Sequence, residues 1–126
     1  MKKIAAMYSF KDLQVYQKAF QLAIEIFKIS GTFPKEEKYS LTDQIRRCSR
    51  SVCANFAEAY RRRRYPSYFI SRLSDADAEN AETEVWLDFA LALGYITPDD
   101  HTRLVSLKIE IGKLLGDVIK NPAKYK

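Results

Sequence analysis

Apolar residues recur at three- and four-residue steps along most of this chain, the spacing of one face of an α-helix. In the first such segment, Phe10 to Ser30, the recurring positions are Leu13, Tyr16, Phe20, Ala23, Ile24 and Phe27. Ser9 is its expected N-cap, Asp12 suits the first turn, and Gly31 can end it in the left-handed conformation. Pro34 blocks an early restart. A second helix is predicted from Leu41 to Arg62, behind Ser40, with Asp43 standing where a capping box usually has Glu or Gln. Its stripe is Leu41, Ile45, Cys48, Val52 and Asn55, flanked by Phe56 and Ala59. The third runs from Pro66 to Leu93, with Phe69, Leu73, Ala76, Asn80, Thr83, Leu87 and Ala90 on one face and Trp86 and Phe89 widening it. Gly94 is its stop signal. The fourth starts behind Thr97, with Pro98, Asp99 and Asp100 in the first turn and Leu104, Leu107, Ile111, Leu114, Leu115 and Val118 as its stripe. Asn121-Pro122 ends it.

Four long helices with short connections predict an all-α, antiparallel up-and-down four-helix bundle, a single domain over residues 1–126. Residues 1–9 are expected to form a short arm, a candidate to lie on a neighbouring subunit, and residues 122–126 to fray. Composition supports this class, since four Gly and four Pro are few for 126 residues and disfavour a turn-rich β fold. No apolar run is long enough to cross a bilayer, and the start of the chain lacks the sustained apolar region of a secretory signal. No membrane association and a cytoplasmic location are therefore expected. Cys48 and Cys53, five apart on one helix, sit about 140° apart around its axis and about 8 Å apart, too far to bridge. They read as reduced packing thiols.

Charge changes the picture more than composition does. The net charge is +5, but its distribution along the chain is uneven. Arg46, Arg47, Arg50 and the run Arg61, Arg62, Arg63 and Arg64 dominate the second helix and the turn after it. From Leu73 to Asp100 no Lys or Arg occurs, while Asp75, Asp77, Glu79, Glu82, Glu84, Asp88, Asp99 and Asp100 do. A basic helix beside an acidic one either steers a polyanion to one face or mates one protomer to the next.

Several segments resemble a known family. Phe10-Lys11-Asp12-Leu13-Gln14-Val15-Tyr16-Gln17-Lys18-Ala19 is similar to the opening of the small bacterial four-helix bundle proteins first named for ribosomal-RNA intervening sequences. That family includes the accessory variability proteins of diversity-generating retroelements. Phe33-Pro34, Glu37, Tyr39, Leu41 and Gln44-Ile45-Arg46-Arg47 continue the likeness. Ser51-Val52-Cys53-Ala54-Asn55-Phe56-Ala57-Glu58-Ala59 resembles the family's most recognisable segment, and Glu79, Glu82, Thr83 and Leu93-Gly94-Tyr95 extend it. The family often has Trp at Tyr16, Pro at Cys53 and Gly at Ala59; without the Pro and Gly the second helix should be straighter here. The resemblance implies a homopentameric ring with a central channel. It also implies binding of nucleic acid and, in the retroelement branch, of a reverse transcriptase.

The candidate nucleic-acid contacts are Arg46, Arg47, Arg50, Arg61, Arg62, Arg63 and Arg64, because guanidinium groups match phosphate geometry. The nucleic acid is RNA, DNA or a hybrid. Tyr60, Tyr65 and Tyr68 lie among these arginines and are suited to stack on unpaired bases. The acidic face, Asp75, Glu79 and Glu82, competes for the same arginines within or between protomers, and an assembly module without nucleic acid is the alternative reading. Asn55 is expected to sit in the core and pair with Asn80 or Thr83, fixing helix register; a functional contact in the channel of a ring is its other reading. No catalytic residue, metal or cofactor is expected. His101 is the sole histidine, and neither a glycine-rich phosphate loop nor a nucleophile motif occurs.

Overall fold

The computed structural model describes residues 9–125, and the expected N-terminal arm lies, but for Ser9, outside them. Four helices follow in order: α1 (Gln14–Ser30), α2 (Leu41–Arg61), α3 (Pro66–Ala92) and α4 (Pro98–Lys120). Each packs on its sequence neighbours, and α1 also meets α4, closing an antiparallel four-helix bundle. Three short 3-10 turns, Phe10–Asp12, Lys35–Glu37 and Pro122–Tyr125, mark the ends and the first connection. The first predicted helix is thus divided. Ser9 accepts from the amide of Lys11 and caps the Phe10–Asp12 turn, while α1 starts only at Gln14.

The α3 stripe is buried throughout, from Phe69 to Ala90. The fourth stripe holds as well, with Leu104, Ile111, Leu115 and Val118 buried and Leu107 and Leu114 packed beside them. The expectation for α1 holds only in part, since Ala23 is buried and Leu13 and Tyr16 pack against the core while the rest of the stripe does not. Its buried residues are Val15, Ala19, Leu22, Ala23, Ile26 and Ser30. The inward face is turned about one residue step, roughly 100°, from the aromatic stripe. Phe20, Ile24 and Phe27 are left about half exposed, at 50%, 41% and 48%. α1 has two adjacent apolar stripes, and the narrower aliphatic one fits between α2 and α4. Asn55 is a second correction. It is half-buried at the edge of the α2 core, donates to Ser51 O at 3.0 Å and accepts from Arg72 at 3.3 Å. It meets neither Asn80 nor Thr83.

Those two residues do lie in the core. Asn80 donates to Lys108 O on α4 at 3.0 Å, and its own Oδ1 is buried without a partner. Thr83 donates to Glu79 O at 2.9 Å and lies 3.3 Å from Cys48 Sγ on α2. The Thr83–Cys48 contact aligns α3 with α2 along the bundle.

The helix ends follow different chemistry from one another. Gly94, at φ +77°, ends α3 with Gly94 N bonded to Leu91 O and Tyr95 N to Ala90 O. Gly31 keeps right-handed angles instead, and α1 ends in i→i+3 bonds. Ser40 makes no capping bond from its own side chain. The Glu37 carboxylate takes that role, accepting from Ser40 Oγ at 2.6 Å, Leu41 N at 3.3 Å and Tyr95 Oη at 2.8 Å. Within residues 122–125, Tyr125 donates to Asp117 at 3.2 Å, and Lys124 pairs with the same carboxylate. The Pro122–Tyr125 turn follows Asn121, whose carbonyl accepts from Lys124 N at 3.1 Å.

Two outcomes test this account. Ile26→Ala removes a fully buried side chain and should cost about 2–5 kcal/mol, whereas Ile24→Ala, two positions away, should cost about 1 kcal/mol or less in chemical denaturation. Equal losses would restore the aromatic stripe to the core. The hydrogen bonds from Ser40 and then Tyr95 hold the Glu37 carboxyl below its usual range. Its contribution to stability is therefore present above the unfolded carboxyl pKa and lost as pH falls through the lower folded one. Glu37→Gln should lower Tm at neutral pH, with the gap to wild type narrowing as the pH drops below about 4. A gap independent of pH would remove the carboxylate's role.

Candidate nucleic-acid interface

The basic surface begins with the α2 core. Burying Ile45, Cys48, Val52, Phe56 and Ala59 on one side turns Arg47, Arg50 and Arg61 to the other, where all three are exposed. Among the described residues, none of the seven candidate arginines forms an ion pair with a carboxylate. They nevertheless divide into three groups by what they touch.

Arg46 and Arg63 serve the helix ends. Arg46 is half-buried, donates to Ser30 Oγ at 2.7 Å and to Phe27 O at 3.2 Å, and stacks on the Phe27 ring at 4.4 Å. A cation at this place satisfies a terminal carbonyl and complements the negative end of α1. Arg63 does the same for α2, donating to Tyr60 O at 2.9 Å and lying 4.1 Å from the Tyr60 ring centre. Arg47 and Arg50 occupy the middle of the exposed α2 face. Arg47 has a long contact with Gln44 at 3.4 Å, and Arg50 lies 5.6 Å from the Phe27 ring. Arg61, Arg62 and Arg64 form the third group, at the corner where α2 turns into α3, all exposed. Arg62 stacks on Tyr68 at 5.2 Å, and Tyr65 stands 63% exposed beside them. The α3 N-terminus opens at this corner without a side-chain cap.

Sequence reasoning passed over Arg72. It lies between the two charged helices and pairs with Glu58 at 3.7 Å and Asp75 at 3.4 Å. It also touches Asn55 and Tyr68. The signal was present as an i, i+3 pair with Asp75. Through Arg72 the acidic face is partly satisfied within the protomer, but only at Asp75. Glu79 forms no ion pair among the described residues, and Glu82 accepts only from Trp86 Nε1, at 3.0 Å.

Other chemistry finds little support. His101 Nε2 lies 2.7 Å from Asp88, tying α4 to α3. Among the described residues no group of three or more His, Cys, Asp or Glu is placed to hold a metal ion. Both cysteines are free, and burial pushes each thiol up to about 11, so neither is a thiolate at neutral pH. No described helix is long and apolar enough to cross a membrane.

Comparison with known proteins now places the bundle. The family described as 23S rRNA-intervening sequence protein matches residues 11–117. The chain belongs to that family. It is also similar to the 1.70 Å crystal structure of a Bacteroides thetaiotaomicron protein from the S23 ribosomal protein family, described as of unknown function. The two are 32% identical with a TM-score of 0.76, over 84% of this chain and 98% of the other. Among curated proteins, none matches the chain. The family match reaches from before α1 into the last turn of α4 and so touches all four helices, as the resemblance of the sequence implied.

The division of the arginines is measurable. Arg46→Ala should lower stability by about 1–2 kcal/mol through loss of the α1 cap, while Arg47→Ala, one residue on, should change it by about 0.5 kcal/mol or less. Equal effects in thermal melts would contradict separate roles.

Proposed function

We propose that this member of the intervening-sequence protein family is a non-enzymatic scaffold that binds the phosphate backbone of single-stranded RNA, DNA or a hybrid. One observation carries the reading: Arg61, Arg62 and Arg64 are exposed at a single corner and have no carboxylate partner among the described residues. Among the described residues the seven arginines have no carboxylate partner, while the ion pairs engage Lys18, Arg72, His101, Arg103, Lys108 and Lys124, which leaves a surface suited to polyanions. Tyr65 offers a stacking platform between the arginines, and the uncapped start of α3 adds its positive dipole end. Binding of this kind tracks backbone and tolerates sequence.

The proposal includes self-association, as a homo-oligomer and, by the family resemblance, a pentamer. In the retroelement branch the same corner would present a strand to a reverse transcriptase. The alternative, an assembly module without nucleic acid, is favoured by one observation, the half-exposed Phe20, Ile24 and Phe27.

A salt titration of binding to single-stranded RNA tests the main reading. Wild type should lose affinity steeply as salt rises, and the triple variant Arg61→Ala, Arg62→Ala, Arg64→Ala should reduce the log–log slope by about 2. Arg63 is left in place because it caps α2. Absence of binding at low salt, or an unchanged slope in the triple variant, would remove nucleic acid from the function.

A further inference from the structure

The bundle carries two separate apolar surfaces, one on each side of α2. The first is a groove between α1 and α2 of about 560 Å³, whose lining includes Tyr16, Phe20, Phe27, Cys53 and Ala57. Arg50 lines it too, and Arg46 and Arg47 border it on the outer face. The second lies where the end of α3 meets the start of α2. There Tyr39, Phe89 and Leu93 are 84%, 52% and 53% exposed around Trp86. Its rim is acidic, with Glu37 in its lining and Glu82 bonded to Trp86.

The two surfaces are therefore opposite in charge, and they also correspond in height. Thr83 on α3 touches Cys48 on α2. Glu79 and Glu82 on α3 thus stand level with Arg47 and Arg50 on α2, one pair on each flank of the molecule. None of these four side chains has an ion-pair partner within its own chain among the described residues. A two-fold dimer sets a surface against its own copy, which would place arginine on arginine or glutamate on glutamate. A head-to-tail arrangement has no such conflict.

We infer that the groove between α1 and α2 receives the α3 flank of a second copy of this chain, with Arg47 and Arg50 facing Glu79 and Glu82 of that copy. The inference rests on the self-association proposed above and names its surfaces. It assigns the arginines two tasks. Arg47 and Arg50 hold subunits in register, and Arg61, Arg62 and Arg64 remain for nucleic acid. The apolar surfaces supply the driving force, and the charges select the pairing.

Charge exchange tests this on the full chain. Light scattering should give wild type a mass several-fold above 14.6 kDa. Arg47→Glu with Arg50→Glu should need about ten-fold more protein or greater to assemble, and Glu79→Lys with Glu82→Lys should behave alike. All four changes together should restore assembly, a rescue that damage to the fold would not give; circular dichroism checks that each variant keeps its helices. The triple variant at Arg61, Arg62 and Arg64 should assemble as wild type does. A monomeric wild type would leave the groove to another occupant, the chain's own first residues or a different protein, and would overturn the inference together with self-association. A wild-type oligomer indifferent to both charge reversals, or unrescued by their combination, would overturn the assignment of surfaces alone.

Discussion

The register between α2 and α3 is the constraint on which the rest of the molecule depends. It is set where Thr83, fully buried, lies against Cys48, with Ile45, Val52, Leu73 and Leu87 closing the core. A hydroxyl in such a place is tolerated because it also donates to the carbonyl of Glu79. Slipping α3 by one turn past α2 would move every residue of its stripe out of its place in the core. Since α2 carries the basic face and α3 the acidic one, the same register decides how the charges stand to one another.

That arrangement explains why the charges do not cancel within the protomer. The arginines of α2 point away from the core on a helix flanked by α1 and α3. Only Arg72, which belongs to α3 itself, reaches both Glu58 and Asp75. Arg46 and Arg63 are consumed differently, by carbonyls at helix ends and by aromatic rings. An arginine used as a cap keeps its charge but loses freedom to follow a ligand. Counting basic residues thus overstates the available surface, and the neighbours of each guanidinium correct the count.

Most of the architecture was legible in the sequence, and the failures have physical causes. α3 was read in full because its apolar positions form one stripe among acids and small residues. Gly94 was read because a helix end needing positive φ has few alternatives to glycine. α1 was misread because periodicity locates stripes without saying which one faces inward. Phe20, Ile24 and Phe27 are the larger side chains, but the space between α2 and α4 accepts Ala19, Leu22 and Ile26. Asn55 was placed in the core for a similar reason, since around the α2 axis it lies only about 20° from the buried Cys48. Arg72 and Glu37 were missed although each has a local partner, Asp75 and Ser40, because their links to Glu58 and Tyr95 join elements distant in sequence, and local patterns do not encode such pairs.

The surplus apolar stripe on α1 gives the error its meaning. A monomeric bundle satisfies its core with one stripe per helix, so a second stripe of two phenylalanines and an isoleucine needs another surface to cover it. Arg46 and Arg50 stack on Phe27 and Tyr16 stacks on Phe20, shielding each in part, but Phe20 and Ile24 remain about half exposed. The exposed Phe89 and Leu93 on the far side of α2 raise the same demand. Two demands on opposite flanks, with opposite charges beside them, are met at once when each copy serves as both donor and acceptor. One helix then faces subunit contacts along its middle and solvent at its end, so assembly and ligand binding act on different arginines of a single rigid element.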